Sequence, residues 1–104
     1  MLNNIKITID GKNIVYLSGE ISFNNCMELK KKILELINES RIKHINLINL
    51  NSKDSSAVLL IINIIKLSKP NEIIFFNFSE RITKLFKSYN LEHIVRNNIN
   101  IFKK

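Results

Sequence analysis

A single cysteine, Cys26, a single proline and two glycines stand among 104 residues. One cysteine can close no internal disulfide and offers no paired metal ligand. So little glycine and proline leaves no flexible linker and no low-complexity segment. Long apolar runs are missing too. The longest nearly apolar stretch, Ala57 to Ile65, falls well short of the ~20 residues that a membrane-spanning helix needs, so no direct membrane insertion is expected. The opening Met1-Leu2-Asn3-Asn4-Ile5-Lys6 lacks the apolar h-region of a secretory signal, and the cytoplasm is the expected compartment.

Motifs that carry chemistry are scarce as well. There is no Gly-x-x-x-x-Gly-Lys loop, so the chain is not expected to be an ATPase itself. No Gly-x-Ser-x-Gly elbow is present to activate a serine. Acid–base catalysis needs groups that converge in a pocket, and the nine acids and two histidines form no such constellation. His44 stands next to a strand and His93 beyond the last helix; both read as surface or satisfied histidines. The expectation is a non-enzyme with no catalytic residue, no metal and no cofactor.

What is present suits one soluble globule spanning residues 1–104: 45% hydrophobic and 24% charged residues, in a chain long enough for one core. The net charge of +7 invites a nucleic-acid reading, but Ile, Asn and Lys are abundant together, as A/T-rich codons would make them. The only basic run, Lys30-Lys31-Lys32, has Glu28 and Glu35 nearby on a predicted helix, with Glu28 four residues before Lys32. That is a solvated helix face. No nucleic-acid reading motif accompanies it, and no nucleic-acid partner is expected.

The pattern of elements is α/β. Ile5, Ile7 and Ile9 alternate with Lys6, Thr8 and Asp10, the period of a half-buried strand. Asp10-Gly11-Lys12-Asn13 is a turn signal, and Ile14 to Leu17 makes a second strand, ended by Ser18-Gly19-Glu20. A helix is predicted from about Phe23 to Asn38, with Phe23, Cys26, Met27, Ile33, Leu34 and Ile37 on one face. A third strand follows at Ile45–Leu50, then a helix from Asp54 to about Lys69, broken by Pro70 and Asn71. Glu72–Phe76 reads as a nearly continuous apolar strand. Ser79 caps a last helix carrying Ile82, Leu85, Phe86 and Tyr89, and a short strand is possible at Ile99–Phe102. Strands that alternate with helices should be mostly parallel. Whether the helices cover one face of the sheet or both stays open.

The segment richest in implication is Asp54-Ser55-Ser56-Ala57. A polar loop, Asn51-Ser52-Lys53, precedes it and the apolar run Val58–Ile65 follows. Asp54 is a candidate helix cap whose carboxylate accepts from first-turn amides, with two hydroxyls beside it. Taken alone, the commoner meaning of such a segment is an ordinary helix start. The helix itself is apolar nearly all round, more than one sheet-facing stripe requires. Some of that surface must meet another helix or a partner.

Leu17-Ser18-Gly19-Glu20-Ile21 and Asp54-Ser55-Ser56-Ala57, set in this order of elements, resemble a STAS domain, the fold of bacterial anti-sigma-factor antagonists. Ile82-Thr83-Lys84-Leu85-Phe86-Lys87-Ser88-Tyr89-Asn90-Leu91 resembles one branch of it, the MlaB-type STAS subunit of the Mla phospholipid ABC transporter. The likeness covers about residues 12–95. It implies a STAS-like mixed sheet of four to five strands with three to four helices. It also implies an accessory subunit that binds and stabilises the cytoplasmic ATPase of the transporter, and so sits at the inner membrane only through that complex. The residues expected to meet the ATPase are Lys53, Asp54, Ser55, Ser56 and Leu59, with the last helix nearby. The alternative it implies is an anti-sigma-factor antagonist switched by phosphorylation of Ser55, its partner an anti-sigma-factor kinase. Three departures stand out: Ala57 replaces a usual Gly, Asn46-Leu47-Ile48 replaces Asp-Leu-Ser, and Lys53 replaces an apolar residue. They bear on phosphorylation more than on the fold.

Overall fold

The computed structural model describes residues 4–68 and 73–93. In chain order these form β1 (Ile5–Ile9), β2 (Ile14–Ile21), α1 (Cys26–Ser40), β3 (His44–Ser52), α2 (Ser56–Leu67), β4 (Ile74–Phe76) and α3 (Glu80–Ser88). The strands lie in the order β1-β2-β3-β4. β1 runs antiparallel to β2, while β2, β3 and β4 are mutually parallel. This is the mixed four-stranded sheet with three helices that the sequence predicts, with β3 inside it. The predicted tail strand at Ile99–Phe102, and Pro70, Asn71 and Glu72, lie outside the described residues.

Both parallel crossovers step the same way across the sheet. Right-handed connections then put α1 and α2 on one face, and α2 packs between α1 and α3. The question of one face or two is settled in favour of one. The core lies between that face and the helices. Val15 and Leu17 of β2, Ile45, Leu47 and Leu50 of β3 and Phe75 of β4 meet Leu29, Ile33 and Ile37 of α1, Ala57, Leu60, Ile61 and Ile64 of α2, and Ile82 and Phe86 of α3. Each large aliphatic side chain so buried contributes roughly 1.5–3 kcal/mol.

Several boundaries differ from the sequence reading. β2 continues through Ser18-Gly19-Glu20 to Ile21 because Gly19 lets the start of β1 pair close by. It sits at φ +112°, and a Cβ there would lie 1.9 Å from the Asn4 carbonyl oxygen. That oxygen accepts from the Glu20 amide at 2.9 Å. α1 begins at Cys26 rather than Phe23, since Ser22–Asn25 forms a turn in which Asn25 Oδ1 accepts from the Ser22 amide at 2.9 Å. Its buried face is Leu29, Ile33 and Ile37. Met27 lies two residues from Leu29, about 200° around the helix, and is exposed together with Phe23. The predicted face was out of phase at its start. β3 carries an irregularity: Tyr16 pairs with Asn46, but Ser18 pairs with Asn49. The extra residue keeps both Leu47 and Leu50 in the core and turns Ile48 out to solvent. Asn46 Oδ1 accepts from the Ile48 amide at 2.9 Å and from Asn77 Nδ2 at 3.2 Å.

The scarcity of glycine also shapes the turns. Asn4, Asn13, Asn77 and Asn90 take left-handed backbone conformations, which asparagine tolerates better than most residues. In the β1–β2 hairpin the left-handed position is Asn13 rather than Gly11. Asp10 Oδ1 ties the loop by accepting from the Lys12 and Ile14 amides at 2.8 and 3.0 Å, and Tyr16 OH donates to Asp10 Oδ2 at 3.1 Å.

Candidate functional site

In parallel α/β sheets the loops at the carboxyl ends of the strands carry ligand and partner sites. Here those are the β2–α1 turn and the β3–α2 loop. They lie side by side: the Lys53 amide donates to the Ile21 carbonyl at 2.9 Å, and the Phe23 amide donates to Asp54 Oδ2 at 3.2 Å. The other oxygen of Asp54 accepts from the Ser56 amide at 2.9 Å. One carboxylate thus fastens the start of α2 to the turn before α1.

The cap position is Ser55, one residue later than the sequence suggested, because α2 begins at Ser56. Asp54 still satisfies a first-turn amide, but from just outside the helix. Ser55 has φ −82° and ψ 9° and makes no side-chain cap bond. It is half-buried, and among the described residues its hydroxyl is not engaged. Ser56 is fully buried. Its hydroxyl lies near the Asp54 carboxyl and favours the ionised form, while Oγ has no hydrogen-bond partner among the described residues. Desolvation acts to raise the Asp54 pKa. The nearby Ser56 hydroxyl, the hydrogen-bonding Ser56 and Phe23 amides and the Lys53 charge outweigh it, and the pKa falls below its ordinary 3.8.

The loop before Ser55 is held from a third side. Arg81, in the first turn of α3, donates through Nε to the Ser52 carbonyl at 2.5 Å and through a terminal nitrogen to the Lys53 carbonyl at 3.3 Å. The buried Ser52 hydroxyl donates to the Asp54 carbonyl. Nothing in the spacing of the sequence announced Arg81, since the contact joins residues 28 and 29 positions apart.

Beside this frame lies a groove of about 220 Å³ lined by Ser55, Val58, Leu59, Ile62, Tyr89 and Leu91. Leu59 and Tyr89 remain 49% and 53% exposed. Of the residues expected at a partner surface, Ser55 and Leu59 line the groove. Lys53 is exposed next to it, Asp54 is turned to backbone amides, and Ser56 is buried within the helix start. Val58, Ile62, Tyr89 and Leu91 were not among the expected site residues. The apolar excess of α2 points to the first two, helical spacing puts Tyr89 on the last helix expected nearby, and Leu91 enters only through the resemblance. Among the described residues no cluster of three or more His, Cys, Asp or Glu could hold a metal ion, and no helix is long and apolar enough to cross a membrane.

The family model of the STAS domain matches residues 4–104. The chain belongs to the STAS domain family. Among solved structures it is similar to the anti-sigma factor antagonist SpoIIAA in its unphosphorylated form, with a TM-score of 0.67 and 20% identity over 88% of this chain and 84% of that one. It is also similar to the Bacillus cell fate determinant SpoIIAA in the phosphorylated form, with a TM-score of 0.62 and 20% identity over 88% and 87% of the two chains. At that identity the likeness is one of fold. For this STAS domain, what the geometry offers chemically is a rigidly framed serine hydroxyl at the lip of an apolar groove, an arrangement fit for docking.

Proposed function

We propose that this STAS domain is a non-enzymatic accessory subunit that binds and stabilises the cytoplasmic ATPase of a phospholipid-trafficking ABC transporter. The observation that carries the reading is a convergence. The segment resembling the transporter branch, Ile82–Leu91, ends with Tyr89 and Leu91 in the same groove as Ser55 and Leu59. The two stretches of sequence that point to the family and to the branch therefore serve one surface. The partner-binding residues are Lys53, Ser55 and Leu59 at that surface, with Asp54 and Ser56 setting its shape. The subunit reaches the inner membrane through the ATPase and inserts nothing into the bilayer. Affinity purification of the tagged chain from its native host tests this: recovery of an ABC ATPase is the expected outcome, and its absence ends the reading.

A second reading is favoured by the half-buried Ser55 hydroxyl with no cap bond to make. It is an anti-sigma-factor antagonist phosphorylated on Ser55 by a partner kinase, in line with its likeness to SpoIIAA, which was solved both with and without phosphate. A phosphate there adds about −1.5 to −2 of charge at the lip of the groove, enough to break an apolar contact. Recovery of a kinase-like anti-sigma factor in the same purification, with phosphate on Ser55, would establish this alternative.

A further inference from the structure

We infer that the groove between α2 and the C-terminal end of α3 receives an amphipathic helix of the partner, its apolar stripe flanked by acidic side chains. The inference rests on the docking reading above and names the chemistry of what docks. The floor is apolar: Val58, Leu59 and Ile62 lie at helical spacing on α2. Leu59 and Tyr89 are each about half exposed, so an occupant gains by covering them. A trough along the side of a helix accepts another helix that presents anchors at every third or fourth residue.

The charge around the groove selects the sign of the occupant's flanks. Lys53 stands two residues before Ser55 and Lys87 two before Tyr89, while Lys66 lies on α2 and Arg81 and Lys84 on α3; all are exposed. Arg81 is turned to the Ser52 and Lys53 carbonyls, which leaves the lysines as the exposed cations of this region. The acids of this region are Glu80, Glu92 and Asp54, and the Asp54 carboxylate is taken up by the Ser56 and Phe23 amides. α1 is different: its Lys30, Lys31 and Lys32 are matched by Glu28, Glu35 and Glu39. Within the helical layer the excess of base over acid thus falls around α2 and α3 rather than on α1. Acidic flanks would meet exposed lysines, steering encounter and rejecting basic competitors. An anionic membrane would offer the same charge, but a recessed trough gives a flat bilayer little apolar contact.

Two designed peptides of about 18 residues, identical in their leucine stripe and flanked by Glu in one and Lys in the other, provide the test by fluorescence anisotropy with the full chain. The Glu-flanked peptide should bind at least about tenfold tighter near 50 mM salt, with the preference shrinking toward about 300 mM. Lys53→Glu with Lys87→Glu should invert the preference, and Leu59→Ser should weaken both peptides, with circular dichroism confirming the fold of each variant. Equal binding, a preference for the Lys-flanked peptide, no binding of either, or stronger capture by phosphatidylglycerol vesicles would each overturn the inference. In a parallel arm with the transporter ATPase, loss of binding by the double charge variant supports the acidic helix. Equal binding by wild type and double variant rejects it and leaves the docking reading standing. An ATPase that never binds wild type ends the transporter reading, and the peptides still decide the groove.

Discussion

Two helices of this domain begin with serine at the cap, and the two serines do different things. Ser79, before α3, has an extended backbone at φ −66° and ψ 161°, and its side chain accepts from the Ile82 amide at 3.2 Å. Ser55, before α2, has ψ 9° and makes no cap bond. An N-cap side chain reaches back to the second or third amide only from an extended backbone. At α2 the preceding residue, Asp54, supplies the acceptor instead. The comparison teaches that capping and presentation are separate tasks. At α3 the hydroxyl holds the helix, and at α2 a carboxylate holds the helix while the hydroxyl stays available at the groove. The two starts are also coupled, because Arg81 of α3 grips the loop that leads into α2.

The strongest way to break this comparison is to charge the free serine. Ser55→Asp should abolish recovery of the partner while leaving thermal stability within about 0.5 kcal/mol, because a carboxylate buried without a partner costs several kcal/mol. Ser55→Asn, similar in size but neutral, should retain most binding. Equal recovery of wild type and Ser55→Asp in co-purification would show that Ser55 belongs only to a helix start.

Next in size is the link between the helix starts. Arg81→Ala removes two charge-assisted hydrogen bonds to the loop carbonyls and should lower stability by about 2 kcal/mol in urea unfolding. Binding should weaken beyond what the stability loss explains, because the loop beside Ser55 loosens. A variant with unchanged stability and binding would show that α3 does not set the shape of the site.

The serines can then be compared directly. Ser79→Ala should cost about 1 kcal/mol, the usual value of a lost cap, whereas Ser55→Ala should cost only a few tenths. Equal losses would erase the distinction drawn between them. Asp54→Ala should behave like Ser79→Ala, since Asp54 provides the acceptor at α2.

The smallest effect concerns pH. The pKa of Asp54 is lowered in the fold from its ordinary 3.8. A depressed folded pKa means that the carboxylate stabilises the fold above the unfolded value, and that this contribution disappears as pH falls through the folded one. Wild type should therefore lose stability below about pH 4 more steeply than Asp54→Asn. The difference between the two curves isolates Asp54 from Asp10, whose pKa is also lowered, chiefly by the Ile14 amide. Parallel curves would mean that the Asp54 contacts contribute nothing in solution.

Much of the fold was legible before any coordinates. The alternation of Ile5, Ile7 and Ile9, the apolar run after Asp54 and the Ser79 cap each follow from local rules of period and capping, and β1, α2 and α3 stand within a few residues of where those rules put them. Errors fell where long-range contact overrides local signal. Gly19 reads as a strand end, but it is where the chain entering β1 presses closest against β2. Phe23 and Met27 read as core, but the phase of α1 is set by Leu29, Ile33 and Ile37 against the sheet.

By itself the sequence determined the class of fold, the order of its elements and the segment Asp54-Ser55-Ser56 that marks the family, because periodicity, caps and turns are properties of neighbouring residues. Only the tertiary structure decided that Ser55 rather than Asp54 sits at the cap with its hydroxyl free, that Arg81 clamps the loop before it, and that Tyr89 and Leu91 close a groove against Leu59. Those outcomes depend on how α2 and α3 cross, and that crossing is set by the packing of Ile61, Ile64, Ile82 and Phe86 in one core, which no local stretch of the chain encodes.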